Sequence, residues 1–281
     1  MRRWLLCLTI ANLPRIVLAQ NEKQTFQLAQ EALVRNDYAQ AKNHFERLIF
    51  FTPAYRVSAC YRGLAEADAG LGNLSDAAHH YDLAYTNATT EKEKTDLLFM
   101  KANLLIGQHA WFDVITEILS LPDAPDSVFQ RKNLLLATAE FGIGKFSESE
   151  SAFLLSINQP NETDTIMMDN FFRLVRKANR LHPKLAKWMS IVLPGSGQLY
   201  AGDFRNGMNS LILTSGLGFL MYNTALIYGI GNSALSIFPW LFRYYVGGFQ
   251  RAEKTAEKNN AIRRGKIFDG IIRYLQQRNS L

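Results

Sequence analysis

The sequence predicts an all-α protein in which stacked helix pairs precede a transmembrane helical hairpin and a basic, amphipathic tail helix. Three observations predict this class. Apolar residues recur with a period near 36 residues over the first half of the chain, residues 206–242 form an uncharged run of 37, and the sign of the charge changes along the chain. Repeats of this length indicate stacked helical units, and such an uncharged run is longer than a bilayer-spanning helix requires.

Composition and charge exclude several classes of protein. Of the 281 residues, 48% are hydrophobic and 20% are charged, with 18 Gly, 8 Pro and 2 Cys. Disorder, collagen and a disulfide-stapled scaffold are therefore excluded. The formal net charge of +6 divides into +3 for residues 1–19, −5 for 20–182 and +8 for 183–281. A mildly acidic portion thus precedes a basic portion that also holds the uncharged run.

Residues 1–19 have the pattern of a cleavable export signal. Two arginines precede a mainly apolar run, and the stretch closes on small or β-branched residues suited to signal peptidase. An uncleaved anchor is the alternative, because Arg15 is unusually close to the expected cut. Cleavage would remove Cys7 and leave Cys60, whose apolar helical surroundings are typical of a core thiol rather than a nucleophile.

Residues 20–160 carry about four copies of a helix-pair repeat. Equivalent positions in successive copies, Ala41, Ala77, Val114 and Ser149, are 36, 37 and 35 residues apart. A small residue in each first helix lets the paired helices approach closely, and these residues are Ala29, Ala65, Ala102 and Ala137. Larger side chains are expected to fill the space between the paired helices, and these are Tyr38, Leu74, Trp111 and Phe146. The turns between paired helices are assigned to Asn36-Asp37, Gly72-Asn73 and Gly144-Lys145.

This pattern resembles that of tetratricopeptide repeats (TPRs) over about half of the chain, more closely in the first two copies than in the last two. The resemblance implies a right-handed α-solenoid whose concave groove is lined by first helices and binds a protein or peptide. The groove-facing consensus positions fall on Phe26, Gln30, Arg62, Glu66, Phe99, Asn103, Leu134 and Thr138. They do not reproduce the Lys and Asn set that clamps a peptide's C-terminal carboxylate. An ordinary mixed helix face is the alternative interpretation.

The sequence offers no catalytic constellation. His79 and His80 are adjacent, which is the wrong spacing for two metal ligands on one helical face, so we expect both on the solvated surface. Residues 139–146 lack the first glycine and the Ser or Thr of a phosphate-binding loop. Ser196 has glycines one residue away on each side, whereas a nucleophile elbow has them two away. We therefore expect no enzyme, metal or cofactor; an envelope hydrolase would need a nucleophile and a base that are not recognisable here.

After a connecting helix at 161–183, residues 184–249 form the predicted membrane domain. Its glycine-rich opening consists of Pro194, Gly195, Gly197, Gln198, Tyr200, Gly202 and then Gly207. This spacing resembles the PGxGQxYxG motif of small bacterial membrane domains that often accompany repeat proteins, in which the break precedes a short helical hairpin. The resemblance carries no settled activity. Because lipid offers no hydrogen-bond partners, we expect neighbouring helices or the interface to satisfy the backbone of the break.

Two apolar segments predict the hairpin. Residues 208–230 are uncharged and would form about 35 Å of helix, enough to cross a bilayer core. Gly216 and Gly218 within them would permit close helix approach. The second segment, 234–249, is shorter and contains a proline and Arg243, a charge that must reach the interface or find a partner. A buried helix pair of a soluble protein is the alternative.

Charge predicts the topology. The tail, 250–281, carries eight Lys and Arg, which the positive-inside rule places in the cytoplasm, whereas a cleaved signal places the solenoid in the periplasm. That arrangement needs an odd number of crossings. Counting 188–200 as a short first crossing gives three, with Arg205 in a cytoplasmic loop. With two crossings, solenoid and tail share one side, and either the charge rule is violated or the signal is not one.

The tail itself is predicted to be an amphipathic helix suited to anionic lipid headgroups. Its apolar stripe consists of Ile262, Ile267, Ile271, Ile272 and Leu275. Nucleic acid is not expected, because no aromatic platform or reading motif accompanies the basic residues. The leading hypothesis is a membrane-anchored scaffold of a bacterial cell envelope, in the inner membrane by preference, whose groove recruits a protein or peptide. The alternative is that the hairpin acts in transport or membrane-protein biogenesis and the repeats regulate it.

Overall fold

The computed structural model describes residues 22–51, 56–121 and 126–279. Within these ranges every regular element is a helix, which confirms the all-α class. In chain order the elements are α1 (Glu22–Val34), α2 (Tyr38–Phe51), α3 (Val57–Gly70), α4 (Leu74–Thr86), α5 (Glu91–Gly107), α6 (Trp111–Leu119), α7 (Asp126–Ile143), α8 (Phe146–Leu155), α9 (Glu162–Ala178), α10 (Pro183–Val192), α11 (Ser196–Tyr200), α12 (Phe204–Tyr228), α13 (Ile230–Ser236) and α14 (Phe238–Asn279). The predicted export signal lies outside the described residues.

The helices form two compact units that divide between Lys145 and Phe146. In the first unit, α1 to α7, each helix packs on the helices that precede and follow it in sequence. The small residues predicted to allow this close approach are fully buried. They are Ala29, Ala65, Ala102 and Ala137, each 0% exposed, and the equivalent repeat positions Ala41, Ala77 and Val114 are also 0% exposed.

One turn geometry recurs at the repeat spacing. Asn36, Gly72, His109 and Gly144 have φ values of 59°, 82°, 58° and 84°, and they are 36, 37 and 35 residues apart. At each, the next residue donates its N–H to the carbonyl five positions earlier, as Asp37 does to Ala32 at 2.9 Å. This is the Schellman ending of a helix. The sequence did not assign the third turn, because His109 lacks the usual Gly or Asn signature.

The second unit begins with α8, although the sequence placed the end of the repeat portion near residue 160. Phe153 on α8 is 0% exposed. Its ring centroid lies 6.2 Å from those of Phe172 on α9 and Phe268 on α14. An aromatic core shared by three helices therefore groups α8 with α9 and α14.

The predicted second membrane segment and the predicted tail are a single helix. Helix α14 has 42 residues, about 63 Å at 1.5 Å per residue. Pro239 does not interrupt it, because this proline lies in the first turn, where the N–H that proline lacks would have no intrahelical partner. The described parts of the two segments, 238–249 and 250–279, are therefore not separate elements, and residues 234–236 belong to α13 instead.

The tail part of α14 packs on its own chain. Ile271 is 0% exposed and Leu275 is 3% exposed, and α14 contacts α9. Ile262 is 47% exposed. The apolar stripe that we expected on lipid headgroups is thus partly buried, because α9 packs against this part of α14, where the ring centroid of Phe171 lies 6.2 Å from that of Tyr274.

Helix α12 presents its apolar surface outward. Among the described helices it is the one long and apolar enough to cross a membrane, and only 6% of its most apolar stretch is buried. Gly216 and Gly218 do not mark a helix contact, since an added Cβ at either would meet nothing within 4 Å. Helix α13 folds back on α12, where Ser233 Oγ donates to the carbonyl of Met221 at 2.7 Å.

Candidate functional site

The glycine-rich motif lies where α10, α11, α12 and α14 pack together. We define the glycine crossing as Gly195, Gly197, Gly207 and Gly248. A Cβ at Gly195, whose φ is +91°, would overlap the carbonyl oxygen of Gly207, and one at Gly197 would overlap that of Ala186. Backbones approach here at distances that only glycine permits.

The buried side chain of Gln198 forms hydrogen bonds that hold the glycine crossing together. Its side chain is 1% exposed, and its Nε2 donates to the carbonyl oxygen of Gly248 at 3.0 Å. Ser190 Oγ donates to Gln198 Oε1 at 3.5 Å and accepts the N–H of Gly197 at 3.0 Å. One glutamine thus connects α11 to both α10 and α14.

The other motif residues shape the two ends of α11. The hydroxyl of Tyr200 accepts the N–H of His182 at 3.1 Å, which holds α11 to the start of α10. Gly202, with φ +87°, gives α11 a Schellman ending. Asp203 then caps α12 by accepting the N–H of Asn206 at 3.2 Å. Pro194 precedes the crossing in the link from α10.

Neighbouring side chains satisfy backbone groups around the break. Tyr245 of α14 donates its hydroxyl to the carbonyl of Ile191 at 2.7 Å. Asn259, also of α14, donates Nδ2 to the carbonyl of Ala201 at 2.7 Å. The hydroxyl of Ser196 donates to the carbonyl oxygen of Met189 at 2.7 Å, so this serine satisfies a backbone acceptor.

A cavity of about 270 Å³ adjoins the crossing on the side of α12 and α14. We call it the arginine pocket, and it is lined by Gln198, Asn206, Asn209, Ser210, Leu213, Arg243, Tyr244, Gly247, Gly248 and Arg251. Two arginines and no carboxylate make this lining cationic. Arg251 Nη1 donates to Asn206 Oδ1 at 3.2 Å. Arg243 is exposed, and no hydrogen bond or ion pair reaches it from the residues that the structure places.

The sequence singled out Arg243 and Gln198 but missed Asn209, Ser210 and Arg251 as members of the same site. Their convergence follows from the antiparallel course of α12 and α14. The signal available in the sequence was the spacing of Arg243 and Arg251, which places them two helical turns apart.

Four of the eight predicted groove-facing residues meet in a second cavity, of about 180 Å³, in the first unit. Phe26, Gln30, Arg62 and Glu66 line it together with other residues of α1 to α3. Arg62 Nε lies 3.6 Å from Glu66 Oε1. Burial raises the pKa of the Glu66 carboxyl, with Arg62 opposing that rise. Arg62 also lines an adjoining cavity of about 260 Å³ beside α5.

The two groove phenylalanines are not surface residues. Phe26 is 5% exposed and Phe99 is 1% exposed, whereas Asn103 is exposed. The guanidinium carbon of Arg131 lies 4.3 Å from the centroid of the Phe99 ring, over its face. Nη1 of the same arginine lies 3.9 Å from Oδ1 of Asp96. The more exposed side chains here are those of Asp96 and Arg131, which lie one turn before the consensus positions Phe99 and Leu134. The sequence did not single out these two charged residues.

His80 also departs from the solvated surface that we expected. Its Nδ1 lies 2.9 Å from Oδ2 of Asp68, a carboxylate whose side chain is 0% exposed. Lys42 Nζ donates to Asp68 Oδ1 at 2.7 Å. The hydrogen bond with Asp68 raises the pKa of Lys42, and burial opposes it. This cluster was not recognisable in the sequence because its members come from three helices.

The cluster does not form a metal site. Across the described ranges, no three His, Cys, Asp or Glu side chains are placed to hold one ion. Comparison of the chain with protein-family models, with curated proteins and with solved structures gives no match. The contacts and charges of the chain itself are therefore what supports a function.

Proposed function

We propose that this chain is a non-enzymatic, membrane-anchored scaffold of a bacterial cell envelope, in which a TPR-like solenoid binds a protein or peptide partner. The observation that carries the proposal is the exposed apolar surface of α12. This helix of 25 residues is long and apolar enough to span a bilayer, yet Phe219 and Ile227 are each 70% exposed. A soluble protein buries a helix of this kind or covers it with a partner.

The contacts of α12 support a transmembrane hairpin with α14. At one end of the hairpin, which we call its base, Gly248 packs beside Ser210. At the other end, α13 connects α12 to α14. Residues 211–228 of α12 are uncharged and extend about 27 Å beyond that base, near the thickness of a hydrocarbon core. Exposed Leu235 and Trp240 continue the apolar surface around the far end.

Packing within the second unit supports two crossings rather than three. Tyr274 near the end of α14 bonds to Asp164 of α9, and Asn260 bonds to the backbone of Leu181. The segments before and after the hairpin therefore lie on one side of the membrane. This packing favours the two-crossing alternative, in which solenoid and tail share one side, over an exported solenoid with a cytoplasmic tail. Reporter fusions at Asp203 and Leu281 would identify that side.

The groove proposal rests on the cavities along α1, α3 and α5. They adjoin at Arg62 and combine apolar walls with the Arg62–Glu66 ion pair. A peptide with both apolar and charged side chains would fit such a surface better than a single small molecule.

Membrane anchoring is tested by alkaline carbonate extraction of the full chain from a bacterial host. The wild type should stay in the membrane pellet. A variant with Ile212→Glu, Phe219→Glu and Leu226→Glu, three exposed positions of α12, should lose stable insertion. The matched control changes Val34, Phe50 and Phe112 to Glu, exposed positions of the first unit. Extraction of the wild type by carbonate would refute the anchor.

Groove binding is tested by a photoreactive residue placed at Gln30 in living cells. A defined crosslinked species should appear from this position, and Arg62→Ala should weaken it. The control position is Arg47, which is exposed on α2 and does not line the cavities along the first helices. Equal crosslinking from Gln30 and Arg47 would contradict a groove interaction.

The arginine pocket favours a second candidate, in which the membrane domain is the active element in transport or membrane-protein biogenesis. Arg243 discriminates between the two, because it is exposed and holds no other residue in place. Arg243→Gln should abolish function at normal abundance if the membrane domain acts. Gly197 and Gln198 do not discriminate, since their contacts are structural.

A further inference from the structure

We propose that the arginine pocket binds the phosphate group of an anionic phospholipid whose acyl chains lie along α12. This proposal rests on the membrane anchoring proposed above, because the pocket must lie at headgroup level. The proposal assigns a ligand to residues at the base of α12 and α14. Anchoring alone would need only the exposed apolar side chains of these helices.

The charge of the pocket selects an anion. Arg243, Gly247 and Arg251 follow one another at four-residue intervals, which places them on one side of α14. Gly247 has no side chain to fill the space between the two guanidinium groups, and an added Cβ there would meet nothing within 4 Å. Guanidinium groups match the oxygen atoms of phosphate in pairs of parallel hydrogen bonds.

Polar groups of α12 complete the pocket. Asn206 Nδ2 donates to Asp203 Oδ2 at 2.8 Å, which leaves Asn206 Oδ1 to accept from Arg251 and to hold that arginine at the rim. Asn209 and Ser210 follow on α12. The hydroxyl oxygen of Ser210 is buried and has no hydrogen-bond partner within the described parts of the chain.

The position of the pocket favours a lipid over a soluble phosphate. Leu213 forms part of its wall, and the exposed side chains of Leu220 and Leu226 lie further along the same helix. A phosphate held between Arg243 and Arg251 is thus adjacent to an apolar surface that an acyl chain can cover. A free phosphate would leave this surface unused.

The first test is flotation of the purified full chain with vesicles of phosphatidylcholine alone or of an equal mixture with phosphatidylglycerol. The wild type should prefer the anionic vesicles by about thirtyfold, in line with about 1 kcal/mol for each of two basic residues near the surface. The double variant Arg243→Gln, Arg251→Gln should lose that preference. The control Arg263→Gln, Arg273→Gln removes equal charge from exposed positions of the tail and should keep it.

The second test fills the pocket without changing its charge. Gly247→Leu retains both arginines, places a side chain between them and favours the helix. We expect it to lose the preference as the double arginine variant does. Gly265→Leu is the matched control, because Gly265 also lies in α14 and its added Cβ meets nothing within 4 Å.

The outcomes separate this proposal from the anchor. Absence of flotation with either vesicle would refute the anchoring function. Equal flotation with neutral and anionic vesicles would refute the lipid site and leave the anchor supported. Equal losses in the pocket and tail variants would show unspecific attraction and overturn the site. Abolition of the wild-type preference by millimolar inorganic phosphate would assign the pocket to free phosphate instead, whereas an unchanged preference supports the lipid.

Discussion

The side-chain amide of Gln198 donates a hydrogen bond to the carbonyl oxygen of Gly248 at 3.0 Å, across 50 residues of sequence. The bond requires the two glycine-containing segments to lie close together. An added Cβ at Gly248 would lie 2.7 Å from Ser210 Oγ, so three helices meet at this point. The glutamine of the motif is therefore a structural residue whose replacement should reduce stability.

Replacing Gln198 by Met keeps the length of the side chain and removes its hydrogen bonds. We expect the free energy of unfolding to fall by about 1–3 kcal/mol, the cost of leaving buried polar groups without partners. Thermal unfolding of the detergent-solubilised chain, followed by circular dichroism, measures this change. Gln276→Met, at an exposed position of α14, is the control and should leave the midpoint unchanged. Equal midpoints for both variants would contradict a structural role.

Gly197→Ala should be far more damaging than Gly218→Ala. The methyl group at 197 would overlap the backbone carbonyl of Ala186, which cannot move without displacing α10. The methyl at 218 meets nothing within 4 Å and should be neutral, or stabilising by up to about 1 kcal/mol through helix propensity. Expression level and unfolding midpoint report both effects. Comparable losses at the two positions would show that the glycine crossing is not tightly packed.

The contact between α9 and α14 should make stability depend on pH at both extremes. Burial favours the protonated form of Asp164, but hydrogen bonds from the Asn161 backbone, from Tyr274 and from Arg278 outweigh it, so its pKa falls below 3.8. A lowered pKa contributes stability above about pH 4 that is lost as the pH falls through the folded-state value. Asp164→Asn should therefore flatten the acid limb of the stability curve, while Asp269→Asn, at an exposed position, should not.

At the alkaline end the same contact acts through Tyr274. Burial, together with the hydrogen bond to Asp164, raises the pKa of Tyr274 to about 12. A raised pKa gives stability that is complete below about pH 10 and is lost as the pH rises towards 12. Tyr274→Phe should remove this dependence while lowering stability at neutral pH. Denaturant unfolding across the pH range gives the measurement, and an unaltered alkaline limb in the variant would contradict the assignment.

Cys60 should resist alkylation in the folded protein. It is 0% exposed, and burial raises the pKa of its thiol from 9.0 to about 11, with Arg56 opposing. The thiolate population at pH 8 is therefore about a hundredfold smaller than in the unfolded chain. Mass spectrometry of a Cys7→Ser variant treated with iodoacetamide, with and without denaturant, tests this. Similar rates in both conditions would show that Cys60 is reactive.

The repeat geometry was predictable because its determinants are local. Ala29 and Ala65 are small where helices cross, and Gly72 and Gly144 take the left-handed conformation that ends a helix. Such features recur in the sequence at the spacing of the repeat. His109 takes the same conformation without the usual residue type, because the surrounding helices determine the turn.

The remaining features were not predictable because their partners are distant in sequence. The stripe around Ile271 has the pattern of a lipid-facing helix, but α9, about a hundred residues earlier, covers part of it. His80 is adjacent to an exposed histidine and differs from it only in facing Asp68. Likewise, Arg243 was visible as an isolated charge, whereas the pocket it lines exists only when α12 and α14 run side by side.

Helix α14 connects its own apolar end, which the proposed hairpin would place in lipid, to the contact between Tyr274 and Asp164 without a break. From Phe238 to Tyr274 it extends about 54 Å. A change of tilt of about 10°, of the kind that a thinner or thicker bilayer imposes on its apolar end, would carry Tyr274 through about 9 Å. If the hairpin is anchored as proposed, membrane thickness would thereby become a mechanical input to the far end of this unit.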